Sequence, residues 1–522
     1  MKRRSFCTGA AALLGSCLLA PPAFAAKTAA VSTPTGHAVP DGEHPLAFRS
    51  ELSLMDVSHD FPYSDSWFEH SSLEYDHDLA RASLGLALSA FNTAASDAQY
   101  WVNADVGRQD NLAAAYEELG FADAKFYNYD IDVGLAKDIV GYAFARKTLE
   151  QPDGSLVSIV CLTLRGGGYG GEWVSNLHTG EGTAHTGFVT PVAEVFDNLC
   201  SYLAHAMLRE KLGTVKLWIS GYSRGSAVGN LVAARIHNEL PQLEQKNIFV
   251  YLFAPPVALT ATDEPALQQD YDNNHAADGT LKTDWGSSNI FNIISSGDIV
   301  TRVLPEAWGY HRNGNDRFLP STRNKAELSD LNEMGTQFGP TPLVFSSLAT
   351  AEDTDAVIDS VRNFCVTKAN FHEKYEDALM DMVECAFLRN EDEVTKAVIL
   401  DDEQIVDRIR SLPNMKRFSW WEIIRNVWAA STVSRPIMER LGSNVPIRAQ
   451  QVIIPVIAVG LCYGIELDVV KVVAQYIVSL LAVRSEPDNV LRAAYCHHVE
   501  NYISLMEYYT PDEHEMRPFT RK

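Results

Sequence analysis

Positive charge is scarce in this chain. Its 522 residues carry 43 Lys and Arg against 67 Asp and Glu, a formal charge of −24. A surface of that sign repels phosphate backbones and anionic headgroups. No nucleic acid partner is expected, nor a membrane held by electrostatics alone. Cysteine is scarce too, at eight residues. Cys7 and Cys17 fall in the N-terminal leader, which leaves Cys161, Cys200, Cys365, Cys385, Cys462 and Cys496. These are too sparse for a disulfide framework, although an even number is compatible with disulfides outside the cell. Cys365 and Cys385 flank one helical stretch and are the pair to check first. Long uninterrupted hydrophobic runs are missing as well. The most apolar stretch, "VIIPVIAVGLCYGIELDVVKVVAQYIVSLLAV", is broken by Pro455, Glu466, Asp468 and Lys471. That pattern suits a buried helix pair better than a membrane span. Metal-binding motifs are absent: there is no H-E-x-x-H, and "NYDIDVG" lacks the mid-loop glycine and closing glutamate of a calcium loop. No metal and no cofactor are expected.

What is present begins at the N-terminus. Lys2, Arg3 and Arg4 precede an apolar stretch of secretory length, and Ala23-Phe24-Ala25 forms an A-x-A-like cleavage site. Residues 1–25 read as a signal peptide. Arg3-Arg4-Ser5-Phe6 resembles a twin-arginine signal, so the expected location is secreted or cell-envelope associated. Leu14-Gly15-Ser16-Cys17 leaves a second reading open, a lipoprotein anchored through Cys17.

Residues 26–75 are rich in Pro, Ala, Thr, Gly and His over their first part and read as a flexible lead-in. Over about 78–145 apolar residues recur at helical spacing, in "DLARASLGLALSAFN" and "DNLAAAYEELGF". Short apolar runs then alternate with helical patterns: "SLVSIVCLTL", "VKLWISG", "NIFVYLFAPP" and "SNIFNIISSGD". That alternation implies a parallel sheet covered on both faces, an α/β core over 76–312. Residues 313–485 read as helical, without strand alternation, and 486–522 as a C-terminal return.

"VKLWISGYSRGSAVG" holds Gly221-Tyr222-Ser223-Arg224-Gly225, a G-x-S-x-G between an apolar strand and a helix. That is the setting of a nucleophile elbow, with Ser223 as nucleophile. A serine hydroxyl needs a base, and the base needs an orienting acid. In this arrangement acid and histidine follow the serine in chain order. Asp298 directly follows the strand "SNIFNIIS"; Asp263 and Glu264 follow a strand at greater distance. His311, His372, His497, His498 and His514 all lie after Asp298. His497 and His498 suit a base best, lying between the breaker-rich "RSEPDNV" and an aromatic-rich helix. An oxyanion hole needs two backbone N–H groups, one from Arg224 and one from a loop after an earlier strand. "RGGGYGG" at 165–171 is such a loop. Read literally it also contains G-x-G-x-x-G, but a dinucleotide loop should open a long helix, and "GEWVSNLHTGEGT" allows only about two turns.

Together these pieces resemble the class 3 lipases, the fungal triacylglycerol lipase family, and their bacterial relatives. Arg165-Gly166-Gly167 resembles the family's R-G-[ST] oxyanion loop, and Glu172-Trp173-Val174-Ser175-Asn176 its E-N-W-x-x-N segment. His185-Thr186-Gly187-Phe188 matches its H-x-G-F, and Phe253-Ala254-Pro255 resembles its G-A-P. Asp298-Ile299-Val300-Thr301-Arg302-Val303-Leu304-Pro305 resembles its D-I-V-P-R-L-P. The matched pieces span about 155–312. Gly167 replaces a serine or threonine, and nearly two hundred residues separate Asp298 from the C-terminal histidines, unlike the family pattern. His497…Asn501-Tyr502 resembles the H-x-x-x-N-Y near the C-terminus of some bacterial relatives, which favours His497 over His498.

The resemblance implies an α/β-hydrolase fold with a mostly parallel sheet and a large helical insertion between the acid and the histidine. It implies an ester hydrolase acting through Ser223, Asp298 and His497, with Gly167 and Arg224 as oxyanion donors. The expected partners are a lipid or ester substrate and, transiently, a lipid interface. A peptidase or thioesterase of the same fold, and a non-catalytic binding protein on the same scaffold, are the alternatives.

Overall fold

The structure, a computed structural model, describes residues 35–51, 55–94, 107–129, 138–167, 170–182, 184–209, 213–260, 288–302, 304, 308–319, 329, 348–362, 367–387, 402–441, 447–481, 493 and 495–509. The leader, Asp263, Glu264, Cys365 and His514 lie outside them.

Two strands come first, β1 (Gly42–Arg49) and β2 (Asp56–Tyr63), paired antiparallel from Gly42 opposite Tyr63 to Arg49 opposite Asp56. Leu46, Phe48, Phe61 and Tyr63 are buried in the main core. The flexible lead-in is therefore corrected over 42–63. Alternating apolar residues in this hairpin find a partner in α1 (His77–Ser89), which Asp76 caps by accepting from the Leu79 N–H.

Helix α2 (Asp110–Glu118) leads to β3 (Ala122–Tyr127), which lies inside the stretch whose spacing suggested helix, and to β4 (Tyr142–Glu150), which begins at its end. Strand β4 hides from pattern reading because Arg146 and Lys147 are both buried in it. Arg146 pairs with Asp123 at 3.1 Å. Lys147 pairs with Asp65 and donates to the Leu119 carbonyl at 2.8 Å. Paired in this way the two cations occupy core positions that a lone charge could not.

The apolar runs form the expected strands: β5 (Leu156–Leu164), β6 (Thr214–Tyr222), β7 (Ile248–Phe253) and β9 (Ile290–Ser295), with the two-residue strand β8 (Leu259–Thr260) between the last two. Short helices α3 (Gly170–Ser175) and α4 (Thr186–Val189) and the long α5 (Val192–Arg209) fall between β5 and β6; α6 (Arg224–Glu239) follows β6. After β10 (Tyr310–His311), β11 (Asn315–Leu319) lies at the sheet edge. It corrects the reading of 313–485 as strand-free. The sheet runs β11-β9-β7-β6-β5-β4-β3, parallel from β11 to β5 and antiparallel at β4 and β3.

Alternate residues feed opposite faces. Ile159, Cys161, Trp218 and Tyr222 join the core shared with α1. Val160, Leu162, Leu217 and Ile219 join the one under α5 and α6. This is the α/β-hydrolase arrangement, with the β6–α6 turn at the carboxyl edge of the parallel strands.

Among the described residues of the insertion the longer helices are α7 (Ala351–Arg362), α8 (Asp377–Phe387), α9 (Asp402–Ser411), α10 (Trp420–Leu441), α11 (Ile447–Cys462) and α12 (Leu467–Leu481). Helices α11 and α12 pack on one another and bury Ile453, Ile457, Val459 and Val470. Among the described residues, no helix is long and apolar enough to cross a membrane. Helix α8 packs against α3. Glu376 ties the insertion to the core: one oxygen accepts from the Thr179 hydroxyl at 2.8 Å, the other from the Gly180 N–H at 3.2 Å. Helix α13 (Val499–Tyr508) returns the chain to the end of β9, where Tyr502 meets Ser295. Cys161, Cys200, Cys385, Cys462 and Cys496 are free thiols.

Candidate active site

The turn from β6 into α6 forces Ser223 to φ +50° and ψ −121°, a region that non-glycine residues enter only under constraint. Three hydrogen bonds hold it there. The Ser223 N–H donates to the Phe253 carbonyl at 2.9 Å, the Ala227 N–H to the Ser223 carbonyl at 3.1 Å, and the Ser226 hydroxyl to Phe253 at 2.8 Å. Gly225 has to be glycine. A Cβ there would stand 2.4 Å from the Leu164 carbonyl oxygen and 2.6 Å from that of Arg165. The start of α6 thus packs directly on the end of β5, and Arg224 lies beside the Arg165–Gly167 loop.

His497 sits just before α13, and its carbonyl accepts from the Tyr222 hydroxyl at 2.7 Å. Its Nε2 is 2.9 Å from Ser223 Oγ and its Nδ1 is 2.8 Å from Asp298 Oδ2. All three side chains are buried. Burial would push the imidazole down, but the Asp298 charge and hydrogen bond, with Glu51 adding to them, outweigh it and hold the His497 pKa above its ordinary value. Asp298 occupies the turn after β9. Its Oδ1 accepts from the Val300 N–H at 2.9 Å, and Oδ2 accepts from the Tyr502 hydroxyl at 2.8 Å.

Sequence reasoning did not single out Tyr502 beyond its place in the H-x-x-x-N-Y match. Its hydroxyl bridges two elements, accepting from the Ser295 N–H at 3.0 Å while donating to Asp298. Asn501 donates to the Cys496 carbonyl at 3.0 Å and so braces the turn that carries His497. The useful signal was the i, i+4 and i, i+5 spacing from His497, which places both residues in the first turn of the next helix.

The remaining candidates lie elsewhere. His498 caps α13 with its ring against Tyr495, and burial pushes its pKa down to about 4. His311 belongs to β10 and pairs with Leu259 of β8. His372 is bonded to Glu376 at 2.6 Å on the seam between insertion and core.

The glycine-rich loop is organised by charge. Arg165 is buried and forms a two-pronged pair with Glu172 at 2.8 and 2.9 Å. Its other arm donates to Asn92 at 2.9 Å. With both terminal nitrogens engaged in a dry site, the guanidinium is held in one orientation. The Arg224 side chain spans the other wall, donating to the carbonyls of Ile139 and Gly187 and to Asn176 Oδ1 at 2.7–3.0 Å. Burial pushes the Arg224 guanidinium down to about 10. His185 stacks on Phe188 at 4.1 Å, and its Nε2 is 3.2 Å from the Asn176 carbonyl. Glu172, Asn176 and His185 are thus braces of the loop. Gly167 is half-buried, and a Cβ on it would meet the Trp173 indole at 3.4 Å, so Trp173 of α3 covers the loop. Gly168 and Tyr169, within the suggested lid hinge, lie outside the described residues.

Residues 167–308 match the family described as lipase (class 3). No curated protein matches the chain. Similar solved structures include a Rhizomucor miehei lipase in complex with its propeptide, at 17% identity over 47% of this chain and 70% of that one, with a TM-score of 0.30. A lipase from Rhizopus microsporus var. chinensis is similar at 13% identity over 50% and 76%, with a TM-score of 0.29. A triacylglycerol lipase described as having a serine protease triad is similar at 16% identity over 53% and 96%, with a TM-score of 0.32.

Proposed function

We propose that this protein, whose residues 167–308 match the class 3 lipase family, is a lipid ester hydrolase and a serine enzyme working through an acyl-enzyme on Ser223. The observation that carries the reading is the hydrogen-bonded chain Ser223–His497–Asp298 at 2.9 and 2.8 Å, beneath a buried elbow. Ser223 Oγ attacks the ester carbonyl as His497 Nε2 takes its proton, and Asp298 stabilises the imidazolium through Nδ1. The Arg224 N–H, free of any helical acceptor in the first turn of α6, and the Gly167 N–H donate to the oxyanion. His497 returns the proton to the departing alcohol, leaving the acyl group on Ser223. It then deprotonates the water that releases the acid. Trp173 and α8, packed over the oxyanion loop through α3, form the cap on the acyl side.

The test combines a serine-reactive phosphonate with p-nitrophenyl esters of rising chain length, on wild type and Ser223→Ala. The expected result is labelling and hydrolysis by wild type alone, with preference for longer chains. A wild type that neither labels nor cleaves any ester returns the protein to the non-catalytic binding reading. Amide or thioester cleavage in preference to esters favours the peptidase or thioesterase reading.

Contact with a lipid interface is part of the same proposal, supported by α10. Its inward stripe is Ile423, Val427, Ala430, Ser434 and Ile437, all buried. Two residues before each lie Trp421, Arg425, Trp428, Thr432 and Arg435, all exposed, on the opposite face of a helix with 3.6 residues per turn. Trp421 is 76% and Trp428 66% exposed. Exposed indoles and the long stems of Arg425 and Arg435 suit the headgroup region of a lipid layer. Trp421→Ser/Trp428→Ser should lower hydrolysis of an emulsified ester several-fold and leave a soluble short-chain ester unchanged. Equal loss on both substrates would remove α10 from the reading.

Export completes the proposal. Intact-mass measurement of envelope and culture fractions should find a chain beginning at Ala26; an acylated Cys17 would mark a lipoprotein instead.

A further inference from the structure

Among the described residues, one trio of metal-ligating side chains converges outside the Ser223 site: Glu51, His498 and Glu500, whose ligand atoms all lie within 4.8 Å of one another. Glu51 lies between β1 and β2; His498 and Glu500 lie at the start of α13. We propose that these three residues bind a divalent transition cation of the Zn²⁺ class, which clamps the N-terminal hairpin to the segment that follows His497.

The imidazole is what sets this trio apart from an ordinary acidic cluster. His498 is 6% exposed, and its Nδ1 is buried without a hydrogen-bond partner. The nearest carboxylate oxygen, Glu51 Oε2, is 4.0 Å away. That is too long for a hydrogen bond whichever group carries the proton. A buried, unmade ring nitrogen is costly, and such a group in a folded protein calls for an ion or a water. A proton shared between Glu51 and Glu500 would leave the Nδ1 lone pair unused. A cation uses it.

The carboxylates are already braced for the role. Glu51 Oε2 accepts from the Val499 N–H at 3.0 Å. Glu500 is fully buried and accepts from the Ser50 hydroxyl at 2.5 Å. Hydrogen bonds to ligating oxygens orient a metal site in this way. A tetrahedral ion with bonds of about 2.0–2.2 Å holds its donors roughly 3.4 Å apart, so the trio closes by well under an ångström at the 4.0 Å pair. Glu51 is the mobile member. Its side chain is 36% exposed and gives the ion its route in. Two carboxylates balance the charge of a divalent ion, and one imidazole selects a transition cation over Ca²⁺ or Mg²⁺, which take oxygen ligands. No sequence motif announces the site, because Glu51 and His498 stand at opposite ends of the chain.

The experiment is calorimetric titration of chelator-treated, full-length mature protein with Zn²⁺, with Ca²⁺ and Mg²⁺ as contrasts. The expected result is one Zn²⁺ per chain, no uptake of Ca²⁺ or Mg²⁺, and a loss of affinity of at least tenfold in both Glu51→Gln and His498→Gln. Glu51→Gln keeps an acceptor for Val499 on a partly exposed side chain, and near-UV circular dichroism checks that it folds as wild type does. Thermal unfolding should rise on adding Zn²⁺ to wild type and stay unmoved in Glu51→Gln. No uptake by wild type, or uptake undiminished in the folded Glu51→Gln, overturns the proposal. Ser223→Ala should bind Zn²⁺ as wild type does, so the outcome stands apart from the hydrolase reading.

Discussion

The parallel sheet and the helical insertion treat tryptophan in opposite ways. In β6, Trp218 is 1% exposed, packs against Tyr63 and Phe68, and donates its N–H to Ser83 of α1 at 2.7 Å. In α10, Trp421 and Trp428 face outward beside Arg425 and Arg435. The first is core packing whose one polar atom is satisfied, as burial requires. The second leaves most of each indole in solvent, which is the feature the proposed lipid contact rests on. The sheet aligns Ser223 with His497 and Asp298, whereas the insertion packs against the helix that follows the glycine-rich loop and leaves indoles outside.

The sharpest way to break that contrast is at the reacting centre. His497→Ala should lower ester hydrolysis by roughly 10⁴-fold or more in kcat, because serine and histidine act as one unit. A rate within tenfold of wild type would dissolve the site. Next comes packing. Trp218→Ala should cost about 3–5 kcal/mol in chemical denaturation, whereas Trp421→Ala should stay within about 0.5 kcal/mol. Equal losses would mean that α10 is buried in the protein as it exists in solution.

A smaller effect is expected at Tyr502. Tyr502→Phe removes a hydrogen bond to a buried carboxylate, a contribution of about 1.5–3 kcal/mol. A kcat loss of roughly tenfold or more with little change in KM would mark a positioning role for Asp298. Loss of stability alone would make it structural.

The smallest effect lies on the seam. The hydrogen bond that His372, half-exposed, donates to Glu376 raises its pKa, with Glu181 adding to it. A raised folded value means that this pair stabilises fully below the unfolded imidazole value and fades as pH rises through the folded one. His372→Gln should lower Tm by about a degree near pH 5.5 and leave it unchanged near pH 8.5.

Much of the sheet could be read locally. The strands β5, β6, β7 and β9 are unbroken apolar runs because both faces are covered. The elbow is legible because Gly225 is required where α6 meets the end of β5. Strand β4 was not, since Arg146 and Lys147 are satisfied by Asp123 and Asp65, residues that no local window contains. The hairpin at 42–63 was missed for a related reason. Its alternation is short, and the helix that buries it comes later in the chain. In the insertion, helical periodicity was plain, but which face would be covered was not.

By itself, the sequence determined the elbow, the glycine-rich loop and the turn carrying Asp298, since each depends on residues within a few positions of one another. Only the tertiary structure decided that His497, 199 residues beyond Asp298, meets it at 2.8 Å while His498 turns toward Glu51. The reason is physical. Periodicity and turn chemistry are properties of neighbours along the chain, whereas the partner of a buried polar group is chosen by how the whole chain closes around it.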